Sequence, residues 1–171
     1  RAVDAGDGVT AVNMGAPLTE PADIPVTGVT DTLHLPIAGD PVATGMGNPH
    51  CTFFIEDAEK IDITAQGPTI EHNPMFPQGT NVQYASFIGP GHMRVRVWER
   101  GVGVTLASGS SSCAVAVAAA RRGLTGRQVK ITLDGGTIDI DWRDDGVWMR
   151  GPTAHVFSGI VTEEFLQKLP Q

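Results

Sequence analysis

Between Met93 and Glu99 the chain alternates strictly. Met93, Val95, Val97 and Glu99 fall on one face of an extended segment, and Arg94, Arg96 and Trp98 fall on the other. That period of two marks a half-buried strand. After a short Gly/Ser stretch the pattern changes: from Cys113 through Ala120 every residue is Cys, Ala or Val, and a helix that is apolar all round belongs in the middle of a fold. Arg121 and Arg122 suit the negative end of its dipole, and Gly123 suits a left-handed cap. The expectation is a central helix wrapped by strands.

Elsewhere, short segments rich in Val, Ile, Thr and Phe are punctuated by 21 Gly and 12 Pro, the pattern of an antiparallel sheet with few helices, an α+β class. Strands are expected at 9–14, 31–37, 41–46, 52–56, 81–88, 93–98, 128–134, 137–142, 147–150 and 154–160. Hairpin turns are expected at Asp134-Gly135-Gly136 and Asp144-Asp145-Gly146. Ile61 to Asn73 reads as a helix broken at Gly67-Pro68, and Thr162 to Leu169 as a closing helix.

Composition narrows the function classes. A chain of 171 residues with 41% hydrophobic content can build one core or two small ones. The formal charge of −7, from 12 Lys+Arg against 19 Asp+Glu, offers no basic patch for nucleic acid. No apolar run approaches the roughly 18 residues a membrane span needs, and the first residues lack the apolar segment of a signal peptide, so a cytoplasmic location is expected. Cys51 and Cys113 make neither a disulfide framework nor a zinc spacing, and the five His are scattered, so no metal site is expected.

Candidate chemistry gathers around the start of the apolar helix. The Gly/Ser stretch places free backbone N–H groups where the helix dipole adds partial positive charge, which suits a carboxylate or phosphate. Plain capping by serine explains the same residues. Glu99 stands in phase with a core face and is followed by Arg100, which reads either as a structural ion pair or as a clamp on a zwitterion. Asn48 is held extended by Pro49, and a turn delivers Asn81 at the start of a strand. Either Asn is equally an ordinary turn residue.

Four ordered motifs, Gly47-Asn48-Pro49-His50, Phe76-Pro77 with Asn81-Val82, Glu99-Arg100-Gly101-x-Gly103 and Ala107-x-Gly109-Ser110, resemble diaminopimelate epimerase, as does Gly151-Pro152-Thr153-Ala154-His155-Val156-Phe157. The match covers the second lobe of that two-lobed family, an antiparallel sheet rolled around a central helix. It implies that residues 1–15 join a first lobe, that 16–154 form the C-terminal lobe, and that 155–171 return toward the first lobe as a closing strand and helix. It further implies a cofactor-independent epimerisation of LL- to meso-diaminopimelate, with each lobe supplying one proton-transferring cysteine. Gly109 and Ser110 would bind the reacting carboxylate. Asn48, Asn81, Glu99 and Arg100 would hold the distal amino acid end, and His50 would tune the catalytic group. The implied partners are the amino-acid substrate, the first lobe and, as an open option, a second copy of the chain.

Two positions depart from the family: Val104 replaces an acidic residue often found there, and Ser108 replaces a cysteine. Ser108 stands where the second-lobe cysteine falls, and a hydroxyl is a far poorer proton base than a thiol. Another amino-acid racemase or isomerase of the same fold, or a lobe that binds without catalysis, remain as alternatives. Cys113, inside the apolar run, reads as a buried small residue rather than a displaced nucleophile.

Overall fold

The computed structural model describes residues 1–169. Ten strands form one sheet: β1 (Ala2–Asp4), β2 (Val9–Asn13), β3 (Val42–Gly45), β4 (Pro49–Phe54), β5 (Asn81–Gly89), β6 (His92–Glu99), β7 (Gly103–Thr105), β8 (Gln128–Leu133), β9 (Gly136–Arg143) and β10 (Gly146–Pro152). Three helices accompany them: α1 (Ile63–Glu71), α2 (Gly109–Arg121) and α3 (Glu163–Gln167). The strands run in the order β1-β2-β10-β9-β8-β6-β5-β4-β3, with β7 pairing β6 to one side. Most junctions are antiparallel, as expected; β4–β5 and β6–β8 are parallel, because each of these pairs is joined by a crossover carrying a helix rather than by a hairpin.

The sheet curls around α2, which packs on β3, β4 and β5 from one half and on β8, β9 and β10 from the other. The wholly Cys/Ala/Val stretch makes that possible, since small side chains admit strands on several sides at once. Val115, Ala116 and Val117 meet Met93, Val95, Val97, Ile131, Ile140 and Val147 in the main core. The period-two alternation then sends the other side chains outward. Cys51, Phe53, Val82 and Tyr84 build a second core with Ile63 and Ile70 of α1 and with Ile24, Leu35 and Phe76. His50 and Cys51 therefore lie on opposite faces of β4.

Three expected elements come out differently. Residues 31–37 form no strand: the Leu33 carbonyl accepts from Arg122 Nε at 2.7 Å, the Thr32 carbonyl accepts from the Ala43 N–H, and Arg121 reaches Thr32 Oγ1 at 2.8 Å. Arg122 at the end of α2 thus takes a carbonyl that a neighbouring strand would otherwise take, and Arg121 holds the Thr32 side chain. Helix α1 is not broken at Gly67-Pro68 but continuous through both, with Asp62 capping it by accepting from the Thr64 and Ala65 N–H groups. The glycine there answers to close packing, since a Cβ at Gly67 would lie 2.4 Å from the Trp98 ring. Residues 153–162 are neither strand nor helix and are exposed.

The two short strands β1 and β7 had no hydropathy signal. Residues 1–13 lie along β10 through β2, with Val12 opposite Met149. No helix among the described residues is long and apolar enough to cross a membrane.

Candidate functional site

The turn before α2 sets up the site. Ser108 takes an extended backbone (φ −149°, ψ 116°) at the N-cap of α2, yet its hydroxyl makes no capping bond; its carbonyl instead accepts from the Ser112 N–H at 3.1 Å and from Ser112 Oγ at 2.8 Å. Among the described residues, the N–H groups of Gly109, Ser110 and Ser111 have no bonded acceptor. These are three of the unpaired donors every helix start carries. The first of them, on Gly109, lies at an open cleft of about 270 Å³ that is also lined by Ala107, Ser108, Gly136, Ile138 and Met149 among others, and Ser110 and Ser111 follow it in the first turn. Gly109 packs close to the flexible end of Met149, and a Cβ there would lie 2.9 Å from Met149 Sδ. Serine capping therefore leaves Ser108 unexplained, and the cradle is not filled by packed side chains.

A second group of polar residues stands behind the helix start. His50, wholly buried, joins Asn48 Oδ1 through Nε2 at 2.8 Å and Gln83 Nε2 through Nδ1 at 3.0 Å. Gln83 also donates to Ser111 Oγ at 3.1 Å and accepts from Thr52 Oγ1 at 3.2 Å. Burial, with the positive charge of Arg100 adding to it, pushes the His50 pKa down to about 3, so the ring is neutral at pH 7. His50 makes no hydrogen bond to Ser108 among the described residues.

Asn81 works as a clamp between two loops. Its Nδ2 donates to the Pro49 carbonyl at 2.9 Å and its Oδ1 accepts from the Arg100 N–H at 3.0 Å, so it ties the Asn48-Pro49 turn to the end of β6. Glu99 continues the inward face of β6, and its Oε1 accepts from Thr105 Oγ1 at 2.7 Å. The expected Glu99–Arg100 ion pair is not formed among the described residues. Consecutive positions at a strand end point to opposite sides, and the Arg100 guanidinium turns to the Gln78 carbonyl at 3.0 Å.

Sequence reasoning missed Gln83 and Glu71. Glu71, nearly fully buried, accepts from Trp98 Nε1 at 2.6 Å and from the Gly101 N–H at 2.8 Å, and so props the turn that carries Arg100. A charged residue on the inner face of an otherwise apolar amphipathic helix was the signal available for it. Gln83 carried a similar one, as a polar residue in phase with the core face of β5. Cys113 and Cys51 are fully buried. Burial pushes the Cys113 thiol up to about 12 and the Cys51 thiol higher still, so neither supplies a thiolate near neutral pH.

The structure thus links Asn48 and His50 to the α2 start through Gln83 and Ser111, and ties Asn81 to the Pro49 carbonyl and the Arg100 N–H, while Glu99 bonds Thr105 and shares no hydrogen bond with this set among the described residues. The cleft at Ser108 and Gly109 is lined by a different set of residues, from β8 to β10.

A family model described as diaminopimelate epimerase matches residues 42–156. The diaminopimelate epimerase of Rhodospirillum centenum is 48% identical over 165 residues, covering 94% of this chain and 57% of the relative. That of Gluconobacter oxydans is 49% identical over 149 residues, covering 86% of this chain and 56% of the relative. The chain therefore spans little more than half the length of these relatives. Among solved structures, a probable proline racemase from Agrobacterium radiobacter K84 superposes with a TM-score of 0.60 at 14% identity, over 96% of this chain and 58% of that one, which speaks for the fold alone. With nearly half of its residues shared with these enzymes over most of its length, and with the family model matching residues 42–156, the chain belongs to the diaminopimelate epimerase family.

Proposed function

We infer that this chain supplies one half of a site that interconverts LL- and meso-diaminopimelate by exchanging the α-proton, without a cofactor. The observation that carries the reading is the start of α2: three N–H groups without acceptors, the first of them at an open cleft, with an uncommitted hydroxyl at position 108. An amino acid's α-C–H is weakly acidic. When a base takes that proton, the electron pair left on carbon spreads into the carboxylate, and donors already aimed at the carboxylate oxygens stabilise the charge as it develops. Gly109 and Ser110 are those donors. A second group, from a companion lobe, returns a proton to the opposite face of the carbon and inverts it.

Asn48, Asn81, Glu99 and Arg100 fit the far end of the same substrate. The carboxylate of Glu99, with one oxygen uncommitted, suits an ammonium, and the amide of Asn48 and the guanidinium of Arg100 suit a carboxylate. A substrate with amino-acid groups at both ends uses both clusters; a proline-like substrate has nothing for the second. Residues 1–15 and 155–171 are the segments we assign to contact with the companion lobe, in a cytoplasmic enzyme.

Ser108 is the weak point of the chemistry and so its best test. Where the companion lobe is supplied, Ser108→Cys places a thiol at a helix N-terminus, where its pKa falls, and deuterium exchange at the α-carbon of meso-diaminopimelate rises steeply. Unchanged exchange removes position 108 from the mechanism. Ser108 also favours one second reading, a lobe that binds diaminopimelate without turnover. Calorimetric binding of meso-diaminopimelate, with proline and phosphate as controls, and no exchange in either variant would favour that reading.

A further inference from the structure

Two residues, His50 and Asn48, separate Gln83 from a ligand at Asn48, yet the chemistry of its partners dictates how Asn48 faces the site. We propose that Gln83 is a positioning residue: through His50 it locks the Asn48 amide with its oxygen inward and its NH2 group free to donate to a ligand carboxylate. The inference rests on the reading of the site given above and extends it.

One chain of hydrogen bonds runs from Thr52 to Asn48. Gln83 Oε1 accepts from Thr52 Oγ1 at 3.2 Å, and Gln83 Nε2 faces His50 and Ser111. Both Nε2 hydrogens are spent there, one on His50 Nδ1 at 3.0 Å and one on Ser111 Oγ at 3.1 Å. An amide nitrogen only donates, so Nδ1 accepts and carries no proton. A neutral imidazole has one N–H, which must then be on Nε2, and it donates to Asn48 Oδ1 at 2.8 Å. The Asn48 Nδ2 has no bonded acceptor among the described residues, and Asn48 is only half-buried.

Each inner member is sealed from water: His50, Thr52, Gln83 and Ser111 are all 0% exposed. No solvent molecule competes to rotate an amide, and reversing one member requires reversing all. In the reversed relay Gln83 Oε1 would accept from a protonated Nδ1, Nε2 would accept from Asn48 Nδ2, and Asn48 would present an oxygen to the site. A carboxylate would then meet a second acceptor in place of a donor. Asn81 holds the backbone of the same turn through the Pro49 carbonyl, so the relay acts on the side chain alone. The identity of residue 83 therefore sets whether the substrate end at Asn48 meets donors or an acceptor.

The relay is read directly by nuclear magnetic resonance on the 15N-labelled full chain at pH 7, because an N–H···N bond transmits a nitrogen–nitrogen scalar coupling. The His50 ring is assigned by its loss in His50→Gln. We expect a coupling between Gln83 Nε2 and His50 Nδ1 and none between Asn48 Nδ2 and His50 Nε2. The opposite pair of results, or no coupling at either nitrogen, overturns the proposal. Gln83→Met, which keeps the length and removes the donor, should bring out the Asn48 coupling and weaken binding of meso-diaminopimelate about tenfold by calorimetry. Equal binding by Gln83→Met and the parent chain also overturns it. If Gln83→Met fails to fold, the parent couplings still decide. If the parent chain shows the couplings but does not bind meso-diaminopimelate, the functional reading falls while the direction of the relay stands.

Discussion

Around His50 the chain buries polar side chains, and between Val156 and Leu169 it exposes apolar ones. His50, Thr52, Gln83 and Ser111 are shut away from water and bonded to one another, while Val156, Phe157, Ile160 and Phe165 are 84, 80, 94 and 58% exposed. Both regions invert the usual partition, and the inversions have different physics. A buried polar group is tolerated only when paired, and a complete network then holds one arrangement. Exposed apolar side chains along the irregular 153–162 stretch and α3 have no packing to hold them, and apolar side chains left open in number suit a place of contact. On the function proposed above, the first region is organised to present donors to a ligand. The second fits the assignment of the 155–171 segment to a companion lobe.

Changes in the polar region should therefore be costly and changes in the tail cheap. The largest effect is expected from Ser108→Cys: with the companion lobe supplied, α-proton exchange should rise about a thousandfold, equivalent to ~4 kcal/mol of barrier, as a competent base replaces a hydroxyl. Next, Glu71→Leu should lower stability by about 3 kcal/mol in urea unfolding, since it leaves the Trp98 and Gly101 N–H groups without acceptors. It should also weaken ligand binding by releasing the Arg100 turn.

The buried imidazole gives a pH signature. His50 is held at about 3 in the fold against an ordinary value near 6.5, so the unfolded chain takes up the proton first as the pH drops. Its contribution is complete above about pH 6.5 and is lost toward pH 3, at about 1.4 kcal/mol per pH unit. Unfolding midpoints of His50→Gln and the parent between pH 4 and 7 should diverge by that slope; parallel curves would mean the ring is not sealed. Smallest of all, Phe157→Ser and Ile160→Ser should shift stability by no more than about 0.5 kcal/mol, while weakening association with a companion lobe in sedimentation. A large loss of stability from either would show that the tail packs against this lobe and would break the comparison.

The contrast also marks what could be read without coordinates. The alternation in Met93–Glu99 and the uniform Cys113–Ala120 stretch are local signals with one period each, and they located β6, α2 and the roll of sheet around helix. Residues 31–37 misled because their apolar content resembles a strand while their carbonyls answer to Arg122 and Ala43, a partnership made only by folding. Gly67-Pro68 looked like a break because the Trp98 ring that makes glycine necessary lies across space. The motif residues Asn48, Asn81, Glu99 and Arg100 were visible as a set, but Asn81's use as a clamp between two backbones was not. Gln83 and Glu71 stayed hidden because their roles lie in who they bond, and a buried partner has no sequence spacing to reveal it.

The central claim is that the start of α2 captures an amino acid's carboxylate on unpaired backbone donors. Titrating the 15N-labelled chain with meso-diaminopimelate and following backbone amides tests it most directly. Saturable shifts centred on Gly109, Ser110 and Ser111, with the side-chain NH2 of Asn48 moving in step, are the predicted result. Saturable binding that leaves those four signals in place while others move would contradict it.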